Sequence, residues 1–171
     1  MSDNKELLDI VNKNGEVINS LPRSEIHGDP AFIHRVVHLL VFNTNGDLFL
    51  QKRSINKDVA PGRWDTSVGG HITHGETIED ALKRESKEEL GIKNCSPRFL
   101  YKYIHSNPYE TELVFTYSCI YDKKISFNKK EIDEIKAWSI KEIKNNLKKG
   151  IFSDNFEDEF GRYLSFRSGK S

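Results

Sequence analysis

The sequence predicts a single α/β domain, a mixed β-sheet with helices packed against it, and three observations support this. Strand-like runs come first, one strong helical pattern interrupts them, more strands follow, and two helical patterns close the chain. That order suits a mixed sheet covered by helices. A length of 171 residues fits one domain with a sizeable core. No internal repeat, low-complexity linker or composition shift divides residues 1–171.

The elements follow in order. Glu6–Val11 and Glu16–Leu21 flank Asn12–Gly15, where Asn14-Gly15 is a strong hairpin-turn signal. Pro22 to Pro30 reads as irregular. His34–Phe42 is the most β-like run, with His34, Val36, His38 and Leu40 on one face and Val37, Leu39 and Val41 on the other. The turn Asn43–Asp47 leads to a partner strand, Leu48–Lys52. Arg53 to Trp64 is a basic loop with a Pro61-Gly62 turn, and a short strand Asp65–Val68 delivers Gly69 and Gly70. After one helix come strands near Phe99–Ile104 and Leu113–Tyr121, rich in aromatic and β-branched residues, and a further strand at Ile135–Ser139. Lys141–Lys149 reads as a helix closed by Gly150. Phe156, Phe160, Tyr163 and Leu164 mark a C-terminal helix capped by Ser153.

The central helix holds the strongest clue. Thr77 is placed to cap it, with Asp80 three residues on, and Gly91 suits a left-handed C-cap. Ile78, Ala81 and Leu82 define an inward stripe whose continuation falls at Glu85, Glu88 and Glu89, while Lys83 and Lys87 lie on the solvated side. Most charge runs are solvated faces, but these acids share a stripe with apolar residues. Carboxylates so close repel unless a cation joins them. Their spacing on neighbouring turns makes a cradle for a hard divalent cation such as Mg²⁺.

Composition excludes several classes. The 26 Lys and Arg balance 26 Asp and Glu, so no global field recruits a nucleic acid polymer or an anionic membrane. Cys95 and Cys119 lie in no CxxC and beside no His, which argues against a disulfide framework or a zinc site. A cytoplasmic location is the expectation from cysteine usage. The first residues, MSDNKELLDIV, show no apolar leader core, and no run approaches a membrane span.

Gly70, Glu76, Arg84, Glu85, Glu88, Glu89, Gly91 and Ile92 stand at the spacing of the Nudix box, which the chain resembles from Gly70 to Ile92. Ser86 departs from it, at a packing position where the family commonly has an aliphatic residue. The resemblance implies a Nudix-type α/β/α sandwich with a mixed sheet between helices, and a hydrolase that cleaves a diphosphate linked to another moiety with Mg²⁺ or Mn²⁺. It implies metal ligands at Glu85, Glu88, Glu89 and the Gly70 carbonyl, and an orienting Arg84 paired with Glu76. Glu88 and Glu89 are the better metal candidates; which glutamate is the general base stays open.

A closer resemblance is to type I isopentenyl-diphosphate isomerases and the hydrolases most similar to them. It is carried by His27 and His34 seven apart, QKRSINK, PGRWDTSVGGH and Glu110-Thr111-Glu112. It implies a second metal site at His27, His34, His71, Glu110 and Glu112, a ligand set suited to Mn²⁺, Fe²⁺ or Zn²⁺. It also implies diphosphate anchoring by Arg53 and Lys57. His38 and His74 match nothing and read as structural; His105, Trp64 and Trp138 read as packing or rim residues.

Three departures weigh against isomerase chemistry. Isomerases carry a catalytic Cys before the Gly-His matching Gly70-His71, and Gly69 stands there. They place a Trp after Phe-Ser-Pro, where this chain reads Phe152-Ser153-Asp154-Asn155. They lose part of the box glutamates, all retained here. The expectation is a metal-dependent hydrolase acting on a nucleoside di- or triphosphate or another small organic diphosphate. The alternatives are an isomerase-like enzyme, a prenyl diphosphate hydrolase and a non-catalytic ligand-binding module. Specificity should come from the Arg53–Trp64 loop, Asn107–Tyr109 and the C-terminal helix. A homodimer is expected by analogy alone.

Overall fold

The structure is a computed structural model that describes residues 6–169; the expectation about the extreme N-terminus falls partly on residues 1–5, outside the described ones. The first hairpin is β1 (Leu7–Val11) and β2 (Val17–Pro22), with Gly15 at φ +89° in its turn. Pro22–Pro30 is not wholly irregular: α1 (Arg23–Ile26) is a single turn that buries Ile26 against Leu8 and Ile10. The long strand is β3 (Ile33–Phe42), followed by β4 (Leu48–Arg53).

The single short strand expected at Asp65–Val68 is two: β5 (Trp64–Asp65) pairs with β4, and β6 (Val68–His71) pairs with β3. The chain changes partners at Thr66 and Ser67, where the Ser67 hydroxyl accepts from the Val41 amide. The box helix is α2 (Ile78–Leu90). Thr77 Oγ1 accepts from the Asp80 amide, and Gly91 closes the helix at φ +65°. Then come β7 (Arg98–Ser106), β8 (Thr111–Ile120) and β9 (Ile132–Trp138), the last starting three residues before its expected limit.

Helix α3 (Ile140–Asn146) is capped by a Ser139–Glu142 capping box and stops before Gly150; residues 147–150 form a turn with Lys148 at φ +60°. Helix α4 (Asp154–Arg167) starts, as expected, on a Ser153 cap.

β3 is the axis of the sheet. Along one edge it runs parallel to β8 from Ile33↔Thr111 to Phe42↔Ile120. The other edge is shared in turn by β1, β6 and β4, all antiparallel. One parallel pair among antiparallel ones makes the sheet mixed, as expected. Its faces bury different helices. Val37, Leu39 and Val41 pack with Ala81, Leu82 and Leu90 of α2, whereas Leu40, Leu48 and Leu50 pack with Ile143 of α3 and Phe156, Phe160 and Tyr163 of α4. Each fully buried Phe or Leu stabilises the fold by roughly 1.5–3 kcal/mol. No described helix is long and apolar enough to cross a membrane.

Candidate metal and substrate site

The register of β3 assembles the site. His34 lies opposite Glu112, Val36 opposite His71, Val37 opposite Gly70 and His38 opposite Gly69. Side chains alternate across a strand, so His34, His71, Glu112 and His38 share the α4 face of the sheet. Gly70 belongs to the α2 face.

There the box acids meet the β6 backbone. A Cβ on Gly70 would collide with the Glu85 carboxylate, so only glycine lets that carboxylate lie against the Gly70 backbone. Glu89 Oε2 accepts from the Gly69 amide at 3.2 Å and from Gln51 Nε2 at 3.0 Å. Arg84 ties the group together. It bonds Glu76 at 2.8 and 2.9 Å, Glu85 at 2.5 Å and the His71 carbonyl at 2.9 Å. The expected Arg84–Glu76 ion pair is therefore present.

Glu88 does not follow the stripe inward. Its side chain is 58% exposed and, among the described residues, pairs only with Arg84, at 3.5 Å. The buried stripe runs instead through Ala81, Leu82, Glu85, Ser86 and Leu90, with Ser86 in the aliphatic position and its hydroxyl unpartnered.

The residues present fit a divalent cation. Burial pushes Glu85 up to about 7, against the attraction of Arg84, with Glu88 adding to the rise. Burial and the neighbouring Glu85 likewise push Glu89 up to about 8. Two carboxylates so reluctant to ionise lack the positive charge that a cation would bring. Together with the Gly70 carbonyl they supply the oxygen donors that Mg²⁺ or Mn²⁺ prefers.

The second group is built from more distant parts. His27, the C-cap of α1, joins His34 and His71 with ring centroids 5.1–5.7 Å apart. Ligand atoms of His27, His34 and His71, and likewise of His34, Glu110 and Glu112, lie within 4.8 Å of one another. Among the described residues, both His34 ring nitrogens and His27 Nε2 are buried without a hydrogen bond, the Glu110 carboxylate standing 3.5 Å from His27 Nε2 and the Glu112 carboxylate 3.7 Å from His34 Nε2. Unpartnered buried nitrogens call for an explanation, and a metal with nitrogen preference supplies one. Burial, followed by the neighbouring His71, holds His34 down at about 3 and His27 at about 4, so both rings are neutral and able to ligate. Burial and then Glu110 raise Glu112 to about 7. Glu6 stands behind this cluster, 3.4 Å from His71 Nδ1, where it would fix the ring and leave Nε2 free for a ligand.

Both groups border a cleft of about 1050 Å³. Of the box residues, Gly70 and Glu89 reach its wall; Glu85 lies beneath and Glu88 outside. Arg53 and Lys57, the residues expected to anchor a diphosphate, line the cleft together with Arg23 and Arg63. Arg53 is oriented by Asp65 at 3.3 Å and the Val59 carbonyl at 2.8 Å, and Lys57 by Glu131 at 3.1 Å. The expected specificity segments contribute Asn107, Tyr109, Asp154 and Asn155. Sequence reasoning missed Glu6, Gln51 and Asp65, which act through other residues and carry no local signal. It also missed Glu159, which did carry one: it falls on the inward stripe of α4 between Phe156 and Tyr163.

Comparison with known proteins agrees with this geometry. The family model of the NUDIX domain matches residues 32–160. An uncharacterised Nudix hydrolase of Clostridium acetobutylicum is 33% identical over 175 aligned positions, covering 89% of this chain and 80% of its own length. One from Pseudomonas aeruginosa is 33% identical over 129, covering 75% and 76%. Among solved structures, DR0079 from Deinococcus radiodurans superposes with a TM-score of 0.78 at 27% identity, over 92% of this chain and 98% of its own. The arrangement of Gly70, Arg84 and the box glutamates is thus found in a chain that belongs to the Nudix family, as a Nudix hydrolase.

Proposed function

We propose that the protein hydrolyses the diphosphate linkage of a small molecule bound in the 1050 Å³ cleft, in the reducing cytoplasm, with nucleoside di- or triphosphates as the first substrate class. The observation that carries this reading is the meeting of Glu85 and Glu89 with the Gly69-Gly70 backbone, opposite a cleft wall of Arg23, Arg53, Lys57 and Arg63. Guanidinium forks match phosphate oxygens, so the wall would hold the diphosphate while the acids face it.

Mg²⁺ or Mn²⁺ held by Glu85, Glu89 and the Gly70 carbonyl, with Glu88 at the rim, would neutralise phosphate charge and lower the pKa of water. Arg84 keeps Glu85 against β6 and is itself held by Glu76. Glu89, whose Oε2 is held by Gln51 and the Gly69 amide, is the box acid in the cleft wall; its other oxygen would take a proton from water when Glu85 and the Gly70 carbonyl carry the ion. We expect Glu89→Gln to lower turnover by about 10²–10⁴-fold with folding intact. Near-wild-type release of phosphate from a panel of diphosphates would sink the acidic-helix model.

The His27–His34–His71 cluster with Glu110 and Glu112 favours a second reading, kinship with the isopentenyl-diphosphate isomerase-like branch and a prenyl diphosphate substrate. Manganese, iron or zinc would suit these donors. Metal analysis of the purified protein tests the cluster: Glu112→Ala or His71→Ala should lose a bound ion, and unchanged content removes the site. Incubation with isopentenyl diphosphate separates the chemistries. Released phosphate supports hydrolysis; the dimethylallyl isomer would support isomerisation.

A further inference from the structure

The α4 face of the sheet holds a charged pair that the chemistry above does not use. His38 on β3 is only 8% exposed, and Glu159 on α4 is fully buried. His38 Nδ1 lies 2.5 Å from Glu159 Oε2, and the other Glu159 oxygen accepts from Thr116 Oγ1 at 2.6 Å. Both oxygens are therefore engaged, and with Glu159 ionised Nδ1–H is the donor. The ring is fixed in plane and in direction. A buried ion pair is seldom more stable than apolar residues of the same size, and the neighbours of Glu159 on its own helix face are Phe156, Phe160 and Tyr163. The pair is better explained by what its free end does.

That end is Nε2. It has no protein partner among the described residues and is not sealed from solvent, and the ring forms part of the cleft wall. It lies flat against β6: a Cβ on Gly69 would stand 3.1 Å from His38 Cδ2 and 3.3 Å from Nε2. The imidazole thus occupies the space that any side chain at position 69 would enter. His38 belongs to neither group of metal-binding atoms. Burial is the strongest single influence and opposes its charge, but the attraction and hydrogen bond of Glu159, with Glu112 and Asp65 adding to them, together raise it to about 9.

We propose that His38 is a substrate-binding residue, whose Nε2–H, aimed by Glu159, donates to an anionic phosphoryl oxygen of the diphosphate lying beside Gly69. Glu159 is its positioning residue and Thr116 fixes Glu159. This rests on the reading of the cleft as a diphosphate site. A donor with a fixed charge, already desolvated and held by a second layer, binds an anion without the ordering penalty of a long surface lysine.

The test uses the full chain with Mg²⁺ and methylenediphosphonate, a diphosphate that cannot be hydrolysed. In protein with ¹⁵N-labelled histidine, the His38 Nε2 resonance should shift on titration. His38→Gln should weaken binding by about 10- to 100-fold, the range for a hydrogen bond to a charged group. Glu159→Gln should weaken it less, and Gly69→Ala, which presses on the ring, should weaken it too. Binding that is lost in Arg53→Ala, unchanged in His38→Gln and without a His38 shift overturns the proposal and leaves the cleft reading standing. No binding by the wild type overturns both. The spectroscopic arm needs no variant, so a His38→Gln chain that fails to fold still leaves a decisive result.

Discussion

His34 and His38 lie four residues apart on the same face of the same strand, both buried, and they sit in opposite charge states. His34 faces two other imidazoles, makes no hydrogen bond through either nitrogen among the described residues, with the Glu112 carboxylate 3.7 Å from Nε2, and is held down at about 3 by burial and then by His71 and His27. His38 faces a buried carboxylate from α4 and is held up at about 9. Nothing in the local run Ile33–Phe42 distinguishes them. The difference comes from what the fold brings opposite each ring: Glu159 from near the C-terminus for one, His27 and His71 for the other. A histidine's role in this protein is set by its tertiary partner.

The largest expected effect breaks the charged member. His38→Leu leaves Glu159 buried with only Thr116 as partner, which should destabilise the protein by about 3–5 kcal/mol. For a chain of this size that lowers Tm by roughly 6–20 °C in a melting scan. The double variant His38→Leu/Glu159→Leu should recover most of the loss, and failure to recover would mean that packing, not charge, is at stake.

The opposite change is expected at His34. His34→Leu removes a ring whose nitrogens are unpartnered, so the metal-free protein should gain about 1 kcal/mol or more and lose any ion held by the cluster. A destabilised metal-free variant would show that the ring has a partner after all.

A smaller effect is a pH dependence. The folded pKa of His38, about 9, lies above the ordinary histidine value of 6.5. Its contribution to stability is therefore fully present below pH 6.5 and is lost as pH rises through 9. Glu159, Glu112 and Asp65 are the acids that raise it. The stability difference between wild type and His38→Gln, followed by urea unfolding, should shrink across that window. A difference constant from pH 6 to 10 would mean that His38 is neutral. Smallest of all, Ser86→Ala should stabilise by up to about 1 kcal/mol, because the buried hydroxyl has no partner to lose.

What was legible in the sequence was local. Thr77, Gly91 and the acids of the box are spaced by one helix, so periodicity exposes them, as does the alternation of β3. The stripe does not extend to Glu88, which sits exposed on the helix flank beside Arg84. The second cluster draws five candidate ligands from four stretches of chain, and only a family resemblance could name them together. Strand limits failed where pairing overrides composition: Thr66 and Ser67 look like continuous strand, but the chain changes neighbours there. Glu159 was readable by the logic applied to Glu85, an acid on an apolar stripe, but no motif drew attention to it.

The parallel pairing of β3 with β8 joins segments separated by almost half the chain, and it alone brings Glu110 and Glu112 to His34. Such distant pairings close late, because a long loop must be ordered first. The box, by contrast, is written within β6 and α2, neighbours in sequence. During folding the two halves of the site should mature at different times, the acidic half early and the histidine half only when β8 docks. Pulse-labelled amide exchange would see this as late protection along the β3–β8 ladder, and simultaneous protection of both halves would contradict it. Competence of the histidine half for an ion would then report that β8 is home.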